Sequence, residues 1–567
     1  MEDFHNATSI SILNEDACEA VSPDHFVVFS CSCSKQQEFF FIHRTHIRTV
    51  HENPTNEPVL DYRKGSSERK ALEEAVEQLS KILLHIAIGI YVIRCIIDSP
   101  LDVPLRIGDE KIKHNLEHKQ LIPSDLSNHV ARFTYATEED IRHAIEVGLS
   151  RTRRHYAACC RLVRLKISNE VECCYYAWAG KNIVQAEIDA ACELIDFLRF
   201  NSHFALQLEK YEPISPKNTK NRLIYRGLEG FVAAIAPFNF TAIGGNLASA
   251  PALMGNVVMW KPSDTAVLSN YIIYQILEEA GMPPGVLSFL PSDAAINFTG
   301  SVPTFKYLWN RVANNLDRYS TFPRLVGECG GKNFHFVHPS ADVETYQGQK
   351  CSACSRMYVP ESLWPSVKKN LSELAEQIKV GDPRDGSIFM SAVIDAKSFS
   401  RIKEYINYAK EGHDGAKLVF GGGCEDSLGY FVQPTCVEVR HPGSKLLTHE
   451  IFGPVLTVLV YKDSEADNLI HTIKDATPYG LTGAVFSEDK DFLYKARDIL
   501  RDAVGNLYLN DKSTGSVVGQ QPFGGARLSG TNDKAGGPHY CLKWSSPQTI
   551  KETRIAKESL VFVYNSV

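Results

Sequence analysis

Phe231-Val232-Ala233-Ala234-Ile235 begins a run in which short, apolar, β-rich segments alternate with helical ones. Residues 257–260 and 286–290 repeat the β pattern, and 269–280 reads as a helix between them. Alternation of this kind argues for an α/β protein with a parallel sheet and covering helices. In such sheets ligands collect at the carboxyl ends of the strands, so the residues just after each strand carry the functional reading.

Pro237-Phe238-Asn239-Phe240 follows the first strand. An asparagine there can cap a helix. Beside a nucleophile, its uncharged amide can also donate to a developing oxyanion. Trp260-Lys261-Pro262-Ser263-Asp264 ends the next strand and puts Lys261 and Asp264 where ribose hydroxyls are usually held; a solvated turn is the plainer reading. Phe298-Thr299-Gly300-Ser301-Val302-Pro303-Thr304 leads from a strand into a helix, whose first N–H groups favour phosphate. The G-x-G-x-x-G fingerprint is absent. Glu450 stands before the apolar turn Ile451-Phe452-Gly453-Pro454, and nothing local separates it from an ordinary surface acid.

Two further stretches point to thioester chemistry. Gly327-Glu328-Cys329-Gly330-Gly331-Lys332 places a lone carboxylate in a glycine-rich turn, and Gly348-Gln349-Lys350-Cys351-Ser352-Ala353 sets a cysteine among small residues. A thiolate can attack a carbonyl, and a carboxylate can then prepare water to release the acyl group. Cys351 and Cys354 also form a C-x-x-C, but no second such pair completes a four-cysteine zinc site, and Cys159-Cys160 and Cys173-Cys174 have the wrong spacing. Cys354 is therefore read as a structural thiol, and no metal is expected.

At 567 residues the chain is long enough for two or three domains. Its 44% apolar and 22% charged residues are those of a globular protein. A net charge of −7, a pI near 6.3 and the lack of a basic stripe argue against a nucleic-acid partner. Fifteen scattered cysteines fit a reducing compartment. Residues 1–55 form an unassigned segment, and the acids Glu2, Asp3, Glu15, Asp16, Glu19 and Asp24 make it unlike a transit peptide. The apolar run 82–97 holds His85 and Arg94 and falls short of the ~20 residues of a membrane span. Helices are expected over 68–81, 138–150 and 183–210, the last with an apolar stripe of Ala190, Leu194, Phe197 and Leu198.

Taken in order, these motifs resemble the aldehyde dehydrogenase superfamily and, within it, the 1-pyrroline-5-carboxylate (glutamate-γ-semialdehyde) dehydrogenases. The narrower likeness rests on residues 225–234, 327–336 and 348–356, on Asn510-Asp511-Lys512-Ser513-Thr514-Gly515-Ser516 and on 520–538. The resemblance implies a Rossmann-type NAD-binding domain (56–211 and 230–330), an α/β catalytic domain (331–525) and a β-flap for oligomerisation (212–229 and 539–558). It implies NAD-dependent oxidation of L-glutamate γ-semialdehyde to L-glutamate, the second step of proline degradation. Cys351 would be the nucleophile, Glu328 the base and Asn239 the oxyanion donor. Lys261, Gly300, Ser301, Val302, Pro303, Thr304 and Glu450 would hold NAD. Ser352, Gly515 and Ser516 would hold the substrate carboxylate, with Phe523 on its methylenes. A homodimer or higher homo-oligomer in the mitochondrial matrix, with no nucleic-acid or membrane partner, completes the implied picture.

The chain departs from that pattern in places. Segments 286–290 and 296–298 are joined by 291–295 alone, whereas neighbouring parallel strands need about a dozen connecting residues. Either these strands are not neighbours, or a covering helix is missing, which would expose their apolar residues and weaken NAD binding. The interval from Glu328 to Cys351 is shorter than the family's by about ten residues, equal to about 15 Å of helix. Residues 151–180 bear little likeness to the family, and 82–101 reads as extra sequence. A skipped exon, or a catalytically impaired homologue acting as a structural partner, stays open beside the active enzyme, as does another aldehyde dehydrogenase activity. The reading predicts that Cys351→Ser abolishes NADH formation while Cys354→Ser keeps most of it. Activity that survives the first change and is lost with the second would reverse the assignment.

Overall fold

The computed structural model describes residues 54–58, 100–114, 118–150, 181–292, 297–341, 350–385 and 387–553. The helix expected at 68–81, the apolar run 82–97 and segment 151–180 lie outside them. Among the described residues no helix is long and apolar enough to cross a membrane.

Two seven-stranded sheets organise the chain. The first runs, in spatial order, Val326–Glu328, Asn297–Thr299, Phe231–Ile235, Val257–Lys261, Leu287–Phe289, Leu105–Ile107 and Glu110–Ile112. Its first five strands are parallel, and the last two pair antiparallel. Both faces are covered, as a parallel sheet requires. On strand Val257–Lys261, Val258 and Trp260 join the large core on one face, while Met259 packs with Leu105, Ile107 and Ala144 on the other. The helix Glu138–Ser150 that supplies Ala144 begins with a reciprocal cap. Thr137 N donates to Asp140 Oδ2 at 2.7 Å, and Asp140 N donates to Thr137 Oγ1 at 3.2 Å.

Strand order resolves the short connection. Leu287–Phe289 and Asn297–Thr299 are not neighbours, because Val257–Lys261 and Phe231–Ile235 lie between them. The first alternative read from the sequence therefore holds, and the expected exposure does not occur. Leu287 is 1% exposed, Phe289 0%, Leu290 3% and Phe298 4%. Tyr271 and Tyr274 of helix Val267–Glu279 cover Phe289, with ring centroids 5.5 and 5.8 Å away. Phe305 of helix Val302–Ala313 stacks on Phe298 at 5.6 Å. The chain thus builds outward from Phe231–Ile235 on one side and then returns to add Asn297–Thr299 on the other. That reversal opens a crevice at the carboxyl ends of these two strands.

The second sheet has the order Lys417–Phe420, Thr435–Val439, Val455–Tyr461, Arg356–Pro360, Phe334–Val337, Thr482–Phe486 and Asn506–Leu509. It is parallel apart from its first strand. Phe334, Phe336 and Tyr358 face one core, and Val337, Met357 and Val359 face another. A separate two-stranded ribbon pairs Thr219–Arg226 with Ser546–Thr553 along their full length. Residues 538–543, just before the ribbon's second strand, are instead helical, and Cys541 there is buried against Asn201 of helix Glu193–Gln207.

The long helix expected over 183–210 is interrupted. Ile183–Ala186 is α-helical, Glu187–Cys192 forms a π-helical turn, and Glu193–Gln207 resumes the α-helix. Such wide turns recur at functional sites. Of the predicted stripe, Ala190, Leu194 and Phe197 are buried, and Leu198 is half-buried against the same core.

Gly327 is a packing constraint beside Glu328. A Cβ there would meet the Phe305 ring at 2.2 to 2.5 Å. Gly327→Ala should therefore cost about 1–3 kcal/mol by overpacking. The loss should appear as a lower urea midpoint and shrink when Phe305 is also changed to Leu.

Candidate active site

Glu328 ends an edge strand of the first sheet, and Phe334 begins a strand of the second. The link between them turns at Gly330-Gly331, where side chains would crowd Glu450, Asn333 and Leu481. A Cβ on Gly330 would lie 2.2 Å from Glu450 Oε2. Glu450 docks on this turn, its Oε1 accepting from Gly331 N at 2.7 Å, and burial raises its carboxyl above the usual range. The unremarkable surface acid of the sequence is thus a partner of the glycine turn.

Asn333, the last residue of the link, holds the nucleophile's turn. Its Nδ2 donates to the Cys351 carbonyl at 2.6 Å and to the Ala353 carbonyl at 2.9 Å, while its Oδ1 accepts from Thr482 N at 3.1 Å. Its backbone carbonyl accepts from Ser355 N and Arg356 N, each at 3.2 Å. Thr482 Oγ1 and Ser513 Oγ donate to the Ser352 carbonyl at 3.3 and 3.2 Å. His335 Nε2 bonds Ser513 Oγ at 3.0 Å, and burial holds this imidazole near pKa 4, so it stays neutral. The short Glu328–Cys351 interval leaves the Cys351 turn anchored by these bonds, whatever precedes residue 350.

One cleft brings together Cys351, Glu328, Ser352, Gly515, Ser516 and Phe523. Asn239 is buried one residue before Phe240, whose ring lines the cleft; Asn239 itself is not among the lining residues. Lys261, Gly300–Thr304 and Glu450 also lie outside that lining, although Phe298 and Thr299 reach it. Cys354 points elsewhere. Its Sγ contacts the Arg356 carbonyl at 3.4 Å and packs with the apolar side of the second sheet.

The cleft is electrostatically tense. Burial, and then the Glu328, Glu193 and Glu450 carboxyls, push the Cys351 thiol up to about 12, with Lys350 opposing them. Glu328 is raised to about 8 by burial; its Oε2 accepts from Gly525 N at 3.0 Å, and its buried Oε1 has no partner among the described residues. Burial raises Glu193 to about 8 as well. Opposite charge comes from Lys350, which lines the cleft, and from Lys181, which lies outside the lining and whose pKa is lowered by burial. Lys181 and Lys350 each lie 3.0 Å from one oxygen of buried Asp189, and both sit over the Phe240 ring, at 5.1 and 5.5 Å.

The substrate end of the cleft is built from small polar groups. Ser352 is buried, with its hydroxyl 2.8 Å from that of Thr514. Gly515 has φ +76°, which disfavours any other residue and leaves its neighbouring backbone open. Phe523 is fixed by its N–H bond to the Ala535 carbonyl at 2.9 Å.

At the crevice of the first sheet the donor set suits a dinucleotide. Lys261 Nζ lies 3.6 Å from Asp264 Oδ1 at the end of its strand. Gly300 admits no Cβ, since the Phe298 ring lies 2.6 Å from where it would be. Ser301 caps the next helix, accepting from Thr304 N, and Ser301, Pro303 and Thr304 are exposed around that helix's first turn, with Val302 buried beneath. A glycine that brings backbone close, a capped helix start and a strand-end lysine match phosphate and ribose chemistry.

The aldehyde dehydrogenase family profile matches residues 118–550. The chain belongs to the aldehyde dehydrogenase family. It is 51% identical to human mitochondrial delta-1-pyrroline-5-carboxylate dehydrogenase over 536 residues, covering 88% of this chain and 92% of the human protein. It is 42% identical to the Dictyostelium discoideum mitochondrial protein of the same name, over 90% of this chain and 95% of that one. Among solved structures it resembles the Mycobacterium tuberculosis Delta-pyrroline-5-carboxylate dehydrogenase bound with NAD. That match has 38% identity and a TM-score of 0.80, covering 91% of this chain and 99% of that one. The Thermus 1-pyrroline-5-carboxylate dehydrogenase with bound NAD gives a TM-score of 0.77 at 29% identity, over 89% of this chain and all of the other.

Within this aldehyde dehydrogenase, sequence reasoning passed over Asn333, His335, Lys181, Asp189, Glu193 and Lys534. A signal for two of them was present: Asp189 and Glu193 fall one turn apart on the same helix as the apolar Ala190, Leu194 and Phe197. Asn333→Ala would strip bonds from the Cys351, Ala353 and Thr482 backbones, each costing about 1–3 kcal/mol when buried and unmet. Loosening of the nucleophile by ~1 Å should lower kcat by about a hundredfold. Steady-state kinetics beside a melting curve would check it, with Asn333→Asp as the near-isosteric control.

Proposed function

We propose that this chain is an NAD-dependent 1-pyrroline-5-carboxylate dehydrogenase that oxidises L-glutamate γ-semialdehyde to L-glutamate through a thioester on Cys351. The observation that carries this reading is the single cleft in which Cys351 and Glu328 meet the loop of Ser352, Gly515 and Ser516. A nucleophile and a base suit any aldehyde. Hydroxyls and free backbone around a glycine of positive φ suit a substrate that also bears a carboxylate.

In this reading the Cys351 thiol passes its proton to water and bonds to the aldehyde carbon, and the resulting oxyanion accepts from the Asn239 amide and the Cys351 N–H. Lys350 and Lys181, clamped by Asp189, favour the thiolate against the burial that raises the thiol. Lys261 and Glu450 would hold ribose hydroxyls, and residues Gly300 to Thr304 the pyrophosphate. NAD, when bound, supplies the acceptor for the hydride, which leaves an acyl thioester on Cys351. Glu328 then takes a proton from water, whose oxygen attacks the thioester carbon and releases glutamate and the thiol. A carboxyl held near 8 is a stronger base than an exposed glutamate and is matched to mildly alkaline conditions.

The same reading assigns the first sheet to the NAD-binding domain, the second to the catalytic domain and the exposed ribbon 219–226 with 546–553 to homo-oligomerisation. It places the protein in the mitochondrial matrix, supported by the named location of the human and Dictyostelium relatives.

Purified full-length protein should form NADH from pyrroline-5-carboxylate and do so poorly from propionaldehyde. Ser516→Ala should raise KM for the semialdehyde by roughly ten- to a hundredfold, the value of one hydrogen bond to a charged group, and leave KM for propionaldehyde unchanged. Equal efficiency with both aldehydes, or an equal loss in the variant, would count against the assigned substrate.

A further inference from the structure

Lys534 has no part in the reaction just described, yet it lines the same cleft. It is half-buried and adopts φ +55°, in the left-handed region that lysine rarely occupies. All three of its ammonium protons are used. Nζ donates to the Gly505 carbonyl at 2.7 Å, to Asn506 Oδ1 at 2.9 Å and to the Gly524 carbonyl at 3.1 Å. None of these acceptors is charged, and among the described residues no carboxylate forms an ion pair with it. The neighbouring acid, Asp533, is engaged with Lys543 at 3.1 Å instead.

The bond to Gly524 reaches the base through the adjoining peptide. Gly525 N, the next amide in the chain, is the group that donates to Glu328 Oε2 at 3.0 Å. Gly505 and Gly524 come so close that a Cβ on Gly505 would lie 1.9 Å from the Gly524 carbonyl oxygen. Lys534 therefore fastens two touching backbones and fixes the amide that aims Glu328. Its half-buried charge also acts on that carboxyl: burial lowers the lysine's pKa, Glu328 opposes that shift, and the lysine's charge in turn lowers the pKa of Glu328.

We propose that Lys534 is a positioning residue for thioester hydrolysis, holding the Gly524–Gly525 backbone against Glu328 and supplying the positive charge that lets Glu328 ionise as the base. The proposal rests on Glu328 being that base. The other groups facing Glu328 are Asp533 from the same loop, Cys351 from the nucleophile turn and Cys329 beside it in the chain. Of these, Asp533 opposes ionisation of Glu328, and Lys534 is the group whose charge favours it.

The test isolates hydrolysis from oxidation. Full-length protein is acylated on Cys351 with p-nitrophenyl acetate without NAD, and loss of the acyl group is followed by intact mass from mildly acidic to alkaline pH. In the wild-type chain, hydrolysis should rise with pH through about 8, where Glu328 loses its proton. Lys534→Met removes the charge, so ionisation should need higher pH. The rising limb should move up by roughly one pH unit, lowering the rate at neutral pH about tenfold. Lys534→Arg keeps the charge and should show a clearly smaller shift, even if its plateau falls. A rising limb unmoved in Lys534→Met, with only a lower plateau, would mean a merely structural lysine and overturn the proposal. Equal shifts in both variants would also overturn it, because charge would then play no part. Glu328→Gln is the separate check on the underlying reading. If that variant hydrolyses the acyl-enzyme like wild type, Glu328 is not the base, and both readings fall.

Discussion

The link from residue 329 to 333 is the constraint on which the site depends. It leaves the first sheet at Glu328 and enters the second at Phe334, so the two packed cores are joined through one short turn. Base and nucleophile come from opposite sides of that tie. Glu328 hangs at the end of one sheet, and the Cys351 turn is held to the other by Asn333. Gly330 and Gly331 make the link narrow enough for Glu450 to dock against it. Because proximity and orientation supply much of an enzyme's rate, a tie of this kind is worth more than any single contact inside the cleft.

The cleft concentrates charge where solvent is scarce. Glu328, Glu193 and Cys351 are all held toward their neutral forms by burial, while Lys181 and Lys350 remain beside a carboxylate that pairs with both. Breaking such a buried arrangement by removing one member costs about 3–5 kcal/mol, whereas assembling it yields little net stability. Its presence is better explained by chemistry than by folding. The π-helical turn at Glu187–Cys192 belongs to the same account. That turn carries Asp189, the carboxylate that pairs with both lysines, and its extra residue shifts the phase of the helix that follows.

Much of this was legible locally. The alternation after Phe231 announced parallel strands and covering helices, and the helix predicted over 138–150 is formed at those limits. Lys261 at its strand end and the helix start after Gly300 were readable because a strand–turn–helix unit leaves its signature within a few residues, and Glu328 was readable from its glycine-rich turn. Leu194 and Phe197 are buried together because helical period dictates which face of Glu193–Gln207 they share.

The order of the strands was not legible. The short stretch after Leu290 looked like a broken crossover, yet Asn297–Thr299 lies beside Phe231–Ile235, with Val257–Lys261 also between it and Leu287–Phe289. Nothing in periodicity distinguishes a neighbour from a strand further across the sheet. Asn333 and Lys534 escaped for the same reason: their partners, Cys351 and Thr482 for one and Gly505 and Gly524 for the other, are distant in the chain. By itself the sequence determined which residues could do chemistry and which segments would be strand or helix, because both follow from side-chain type and local torsion. Only the tertiary structure decided which of those residues meet, because buried polar groups take whatever partners the packing brings within reach.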